Sequence, residues 1–250
     1  MKKTIVLMTA IICLCSCDFM KNEKEGMGTV RQSNGYIGAY FSPKSLQMKK
    51  FSNSGGESFI NIYQDGYDYF LVGESAYKRI SEYYNDIGYD TTFRFLPYVS
   101  DPEKFLSDEI ASINIVSTAE YNGIPAGENL NNQFYLYAMS MYPFIQSGYT
   151  DKFDYASEYA PSIFLEMQEA ILQWTNNPSA YLGSPVYGTV DEIDVESLKL
   201  IGGSNWKMDL MFLLQMKQIP VNPEGELIVT VGFKDGKQLE ARGLVYDLIN

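Results

Sequence analysis

The stretch from Glu226 to Val245 constrains this 250-residue chain most. Leu227, Val229, Val231 and Phe233 occupy alternate positions, Asp235-Gly236 follows, and Gln238 to Val245 resumes an extended pattern. Side chains on a strand alternate between two faces, so such spacing places every apolar residue on one face. An Asp-Gly pair between two runs of this kind is a turn signal, so the segment predicts a β-hairpin with those four residues pointing inward. An isolated hairpin is marginal in water. Its apolar face needs a cover, which the rest of the chain must supply.

Several other segments carry the same period. Tyr36 to Phe41 reads as a first strand, and Lys49 to Glu57, with Ser54-Gly55-Gly56, as a loop. Ser58 to Gln64 alternates, Asp65-Gly66 follows, and Tyr67 to Val72 is apolar again, which predicts a second hairpin with a primed turn. Thr92 to Val99 and Ile110 to Val116 read as strands, the latter with Ile113 and Ile115 on its buried face. Val195 to Ile201 is a further candidate. Trp206 to Lys217 alternates strictly, and a strand is preferred there over the helix that Met211 and Leu213 also permit.

Two segments change to helical spacing. In Glu74 to Ile87 these are Ala76, Ile80, Tyr83, Tyr84 and Ile87, with Gly88 as the stop. In Ser162 to Trp174 they are Ile163, Met167, Ala170, Ile171 and Trp174, with Pro161 in a first turn. Residues 121–158 show no clear period, and residues 179–189 read as a Gly/Pro/Tyr loop. The expected fold is mainly β: a two-sheet, sandwich-like single domain over residues 35–250, with one or two connecting helices.

The N-terminus specifies an address. Lys2 and Lys3 precede an 11-residue apolar stretch from Thr4 to Leu14, too short for the ~20 apolar residues of a membrane span. Leu14-Cys15-Ser16-Cys17 closes it and resembles a bacterial lipobox, in which Cys17 receives the lipid. Residues 1–16 are then a lipoprotein signal peptide, and residues 17–34 the lipidated cysteine and a flexible, polar tether. All three cysteines, Cys13, Cys15 and Cys17, lie in this segment. The mature chain therefore offers no disulfide and no cysteine nucleophile. Loss of Lys2 and Lys3 takes the net charge from −12 to −14, which anionic lipid does not attract, so the acyl chains must hold the protein at the membrane. Asp18 and Lys21-Asn22-Glu23-Lys24-Glu25 resemble a Bacteroidetes surface-export signal and equally suit a solvated tether. The expected location is the cell envelope, on the outer membrane, facing the periplasm or the surface.

Three segments together resemble a family of uncharacterised Bacteroidetes lipoproteins that share a domain of unknown function. They are Ile113 to Ser117 with Tyr121, Pro125-Ala126-Gly127 and Leu130 to Phe134; the alternating Met208 to Lys217 ending near Pro220; and Leu227 to Phe233, Asp235-Gly236-Lys237 and Leu239 to Ala241. The likeness runs from about Ile110 to the C-terminus, with residues 135–190 unaligned. It implies an envelope address and a β-rich fold, and no catalytic residue.

The absence of histidine removes His-dependent triads, histidine bases and His-ligated metals. The acidic balance argues against a nucleic-acid partner. Neither a metal nor an organic cofactor is expected. A carboxylate pair is the chemistry that remains for an enzyme, namely a glycan hydrolase with an acid and a base or nucleophile. Glu166 and Glu169 share one face of the second helix, but apolar residues define the opposite face, so a solvated surface explains them. Asp65-Gly66-Tyr67-Asp68 lacks the ligand series of a calcium loop, and Gly202-Gly203-Ser204 lacks the Lys-Ser/Thr of a phosphate loop. The compositional excess is aromatic: 20 Tyr, 14 Phe and 2 Trp. Tyrosine combines a flat apolar ring with a hydroxyl, which suits sugar faces and polar protein surfaces. Tyr142, Tyr149 and Tyr181, with Tyr155 and Tyr187, are the candidate platform, against the alternative that they pack in the core. The function expected is non-catalytic binding of a glycan or protein partner.

Overall fold

A computed structural model of the chain describes residues 31–89, 94–96, 104–175, 181, 183–202 and 211–249. The expected signal peptide, Cys17 and most of the expected tether lie outside the described residues, as do most of Thr92 to Val99 and residues 203–210.

The fold is mainly β, with two packed sheets. Its largest unit is a ribbon of two 14-residue antiparallel strands, β2 (Ala39–Ser52) and β3 (Ser58–Leu71). Two expectations fail here. The predicted loop at 49–57 is strand up to Ser52, and the predicted turn at Asp65-Gly66 is strand interior. The ribbon reverses instead at Asn53 to Gly56. There Asn53 Oδ1 accepts from the Glu57 amide at 2.8 Å, and Gly56 takes the left-handed conformation (φ 80°) that favours glycine. Gly66 pairs with Ser45, while Lys44 on one strand and Asp65 on the other fall outside the register. The two bulges offset one another, so the pairing continues to Ala39 and Leu71.

The larger sheet has the order β5-β2-β3-β9-β7-β8. Besides the ribbon it contains β5 (Lys104–Leu106), β7 (Phe134–Ser140), β8 (Ser184–Thr189) and β9 (Phe212–Met216). Among the described residues only the β2–β5 pairing is parallel. The smaller sheet has the order β11-β10-β6, formed by β6 (Ile110–Ser117), β10 (Glu226–Phe233) and β11 (Gln238–Leu244). The predicted terminal hairpin is present, with Leu227, Val229, Val231 and Phe233 buried. A short pair joins β1 (Arg31–Ser33) to β4 (Arg94–Leu96).

Among the described residues three apolar clusters hold these layers. Between the sheets lie Ile60, Ile62, Leu136 and Leu214 of the larger sheet and Ile115, Leu227, Val229 and Val231 of the smaller. The opposite face of the larger sheet is covered by a helix, and here Phe59, Met139 and Leu213 meet Ile163, Phe164, Met167 and Ile171. Full burial of such a side chain contributes about 1.5–3 kcal/mol. β9 is therefore apolar on both faces, which explains why Leu213 interrupts a strict alternation. The third cluster, near the start of β2, includes Ile37, Tyr40, Phe105, Phe144 and Tyr181.

Among the described residues four helices flank the sheets. α1 (Ser75–Tyr83) is shorter than the expected 74–87. It ends in a left-handed residue, Asn85 (φ 60°), with the Asp86 amide donating to Ser81 O and the Asn85 amide to Glu82 O. This Schellman-type closure stops the helix before Gly88 and leaves Ile87 exposed. α2 (Tyr142–Gln146) was not predicted; α3 (Ser162–Thr175) is the expected second helix; α4 (Val245–Ile249) follows the last strand. Two further expectations are corrected. Val195–Leu198 is a 3-10 turn and not a strand, capped by Asp194, whose carboxylate accepts from the Glu196 amide at 3.0 Å. Residues 184–189 are the edge strand β8 and not a loop. Pro185 is admissible there because an edge leaves one side of the strand without a ladder partner.

Candidate functional site

β7 places Phe134 and Leu136 against the sandwich core and Tyr135 and Tyr137 on the opposite face. β8 runs beside it, with Tyr187 opposite Tyr137 and Thr189 opposite Tyr135. Three tyrosines thus share one sheet face. α3 covers only part of that face. Beyond its first turn a groove of about 660 Å³ remains, lined by Tyr135, Tyr137, Tyr159, Tyr187, Leu165 and the carboxylates Glu57 and Glu192, among others. The volume falls within the ~300–1,000 Å³ range of ligand sites. Tyr135, Tyr187 and Tyr159 are 40%, 45% and 82% exposed. Adjacent exposed aromatics of this kind mark interaction surfaces.

The groove is built on fixed parts. Phe164 of α3 is buried beneath it, with its ring 5.8 Å from Tyr137 and 5.9 Å from Tyr187. Tyr137 stands edge-on to Phe59 at 5.5 Å and donates its hydroxyl to Gln215 Oε1 at 2.8 Å. Burial, with Glu57 nearby, pushes the Tyr137 hydroxyl up to about 12, so it is a neutral donor at physiological pH. Glu57 Oε2 accepts from Asn53 Nδ2 at 2.6 Å and from Ser162 Oγ at 2.9 Å, which ties the β2–β3 turn to the start of α3. Lys217 Nζ lies 4.9 Å from the Tyr135 ring centre and 3.0 Å from Thr189 Oγ1.

The predicted platform residues are brought together elsewhere, and they are packed rather than displayed. Tyr181 is only 4% exposed; its hydroxyl accepts from the Phe153 amide at 3.0 Å and lies 3.0 Å from Ser184 Oγ. Its ring stands 5.2 Å from Phe144, and Tyr149 stands 5.7 Å from the same ring. Tyr149, half-buried, donates to Asp86 Oδ1 at 3.0 Å. Tyr142, half-buried, packs 6.3 Å from Tyr84. Tyr155 is half-buried and donates to Gly183 O at 2.6 Å. Of the five loop tyrosines named from the sequence, only Tyr187 is exposed, and it lies on a strand.

The carboxylate candidates do not converge. Glu166 accepts from the Ser54 amide at 3.1 Å and from Ser54 Oγ at 3.0 Å, a latch between α3 and the ribbon turn, while Glu169 is exposed. Asp65 is the bulge residue, and Asp68 pairs with Lys44 at 2.5 Å. A separate polar cluster joins Glu109 and Glu196 to Lys199 and Lys234. Lys234 Nζ lies 2.6 Å from each carboxylate. Burial opposes ionisation of Glu109, yet Lys234, Tyr83 and Lys199 hold it below the usual carboxylate range, and hydrogen bonds from Lys199 and Lys234 lower Glu196 to about 2. The charges balance one another, which is a structural arrangement. Among the described residues no group of three or more Cys, Asp or Glu side chains is placed to hold a metal, and no helix is long and apolar enough to cross a membrane. Comparison with family models, with curated proteins and with solved structures finds no match.

Proposed function

We propose that this chain is a non-catalytic glycan-binding lipoprotein of the cell envelope. Lipid at Cys17 holds it to the outer membrane, and residues 17–34 tether the domain. Membership of the Bacteroidetes lipoprotein family is proposed with it, on the three C-terminal segments that resemble that family and the lipobox in front.

The observation that supports this reading is the run of tyrosines along the groove. Tyr135, Tyr137 and Tyr187 present rings on one sheet face, and Tyr159 presents another from the facing wall. Sugar rings have an apolar face of C–H groups and an equatorial rim of hydroxyls. Tyrosine rings match the first, and the groove's carboxylates, Thr189 and phenolic hydroxyls match the second. Hydrolysis is the weaker reading. It needs two carboxylates set to act on one bond, an acid and a base or nucleophile, whereas Glu57 serves as a tie between the β2–β3 turn and the start of α3.

Titration of the full chain in non-ionic detergent against a panel of soluble oligosaccharides, with products assayed in the same tubes, tests the proposal. Saturable binding without cleavage is expected. Tyr187→Ala should weaken it by about 30-fold, the loss typical of an interface aromatic worth ~2 kcal/mol. Cleavage of any member would replace the binding reading with the hydrolase. Binding that survives loss of both Tyr135 and Tyr187 would remove the groove from it.

A further inference from the structure

Resting on the glycan-binding reading, we infer that the groove selects by charge: it admits neutral and amine-bearing glycans and rejects chains that carry uronate or sulfate.

Three observations carry this. First, the groove walls hold two carboxylates, and among the described residues that line it none is a lysine or arginine. Glu57 is held at the groove by Asn53 and Ser162, which both donate to its Oε2. Second, the tyrosine faces carry the negative lobe of the ring quadrupole, which attracts C–H groups and ammonium ions and repels anions. The protein itself displays this preference: the Lys217 ammonium lies over Tyr135 and donates to Thr189, two groove residues. That lysine sits at the groove's edge as a single positive charge beside the two carboxylates. Third, the chain bears a net charge of −12, so the surrounding field also disfavours a polyanion.

An acidic sugar in the groove would therefore meet two carboxylates and the ring faces against the single ammonium of Lys217 at the edge, which is discrimination by net repulsion. Glu57 and Glu192 are the residues responsible. An ammonium at the same place would gain both a carboxylate and a ring face. Each exposed charge pair of this kind is worth at most about a fivefold change in affinity, screened by salt.

Calorimetric titration of the full chain in non-ionic detergent, at low and high ionic strength, tests the inference. The probes are oligosaccharides of several backbones, each supplied as a neutral, an amine-bearing and a carboxylated or sulfated form of equal length. The neutral and amine-bearing forms of the bound backbone should bind, the amine-bearing form more tightly at low salt, and the acidic form should bind at least about tenfold more weakly. Glu57→Gln and Glu192→Gln should each raise the affinity for the acidic form relative to the neutral form by about threefold to fivefold. Thermal melts of both variants confirm that they are folded. An acidic form that binds as well as its neutral counterpart, or variants that leave the ratio unchanged, overturns the charge selection while the glycan reading stands. Failure of every neutral form on every backbone overturns the glycan reading itself.

Discussion

Truncation of two tyrosines six residues apart should have opposite consequences. Tyr181 is buried: its ring contacts Phe144 at 5.2 Å, and its hydroxyl accepts the Phe153 amide. Tyr181→Ala removes a large buried ring, which costs about 3–5 kcal/mol where the cavity cannot collapse. It also strips the Phe153 amide of its acceptor, adding about 1–3 kcal/mol if no water replaces it. For a domain of this size 1 kcal/mol shifts the midpoint by about 2–4 °C, so Tm should fall by roughly 8–30 °C. Tyr187 is 45% exposed, and Tyr187→Ala should lower Tm by no more than a few degrees. Thermal unfolding followed by circular dichroism measures both without any ligand. Equal small shifts would show that Tyr181 is not core. An equal large shift in Tyr187→Ala would make Tyr187 a packing residue and remove the groove's principal ring.

Further outcomes follow from the same packing. Burial pushes the Asp86 carboxyl above its ordinary value, against the amides of Tyr36 and Ile37 and the hydroxyls of Tyr40 and Tyr149, which pull it down. A carboxyl that binds its proton more tightly when folded favours the fold most in acid and loses that contribution as pH rises through its folded value. The Tm difference, wild type minus Asp86→Asn, should therefore decrease from about pH 4 upward, and a difference that rises with pH contradicts the assignment. Val231→Asp places a charge opposite Ile113 and Leu239 in the inter-sheet core and should lower Tm by on the order of 10 °C; a melt within a degree or two of wild type refutes its placement. Cys17→Ala should abolish incorporation of labelled fatty acid and release the chain from membranes, and continued labelling would discard the lipobox.

The hairpin at 226–244 and helix α3 were legible because each buries one face against one partner, so their periods are clean. The ribbon β2–β3 was misread because Asp65-Gly66 has the composition of a turn, while only pairing with a 14-residue partner makes it a bulge. β8 was hidden for a related reason: Pro185 and Gly188 read as loop residues, yet an edge strand tolerates them. The site was harder still. Tyr135 and Tyr137 alternate with Phe134 and Leu136, a signal available in the sequence, but nothing local states which face α3 leaves uncovered. The converse holds for Tyr181 and Tyr149, whose loop-like surroundings conceal that Phe144 draws them into a core.

Nuclear magnetic resonance of the chain with isotope-labelled tyrosine rings, titrated with the oligosaccharide that binds, tests the central claim most directly. Resonances of Tyr135, Tyr137, Tyr159 and Tyr187, each assigned by substitution with Phe, should shift together and saturate at one affinity. Those of Tyr142, Tyr149 and Tyr181 should stay in place. Shifts confined to the second set, or spread evenly over all tyrosines, would contradict a glycan site in the groove.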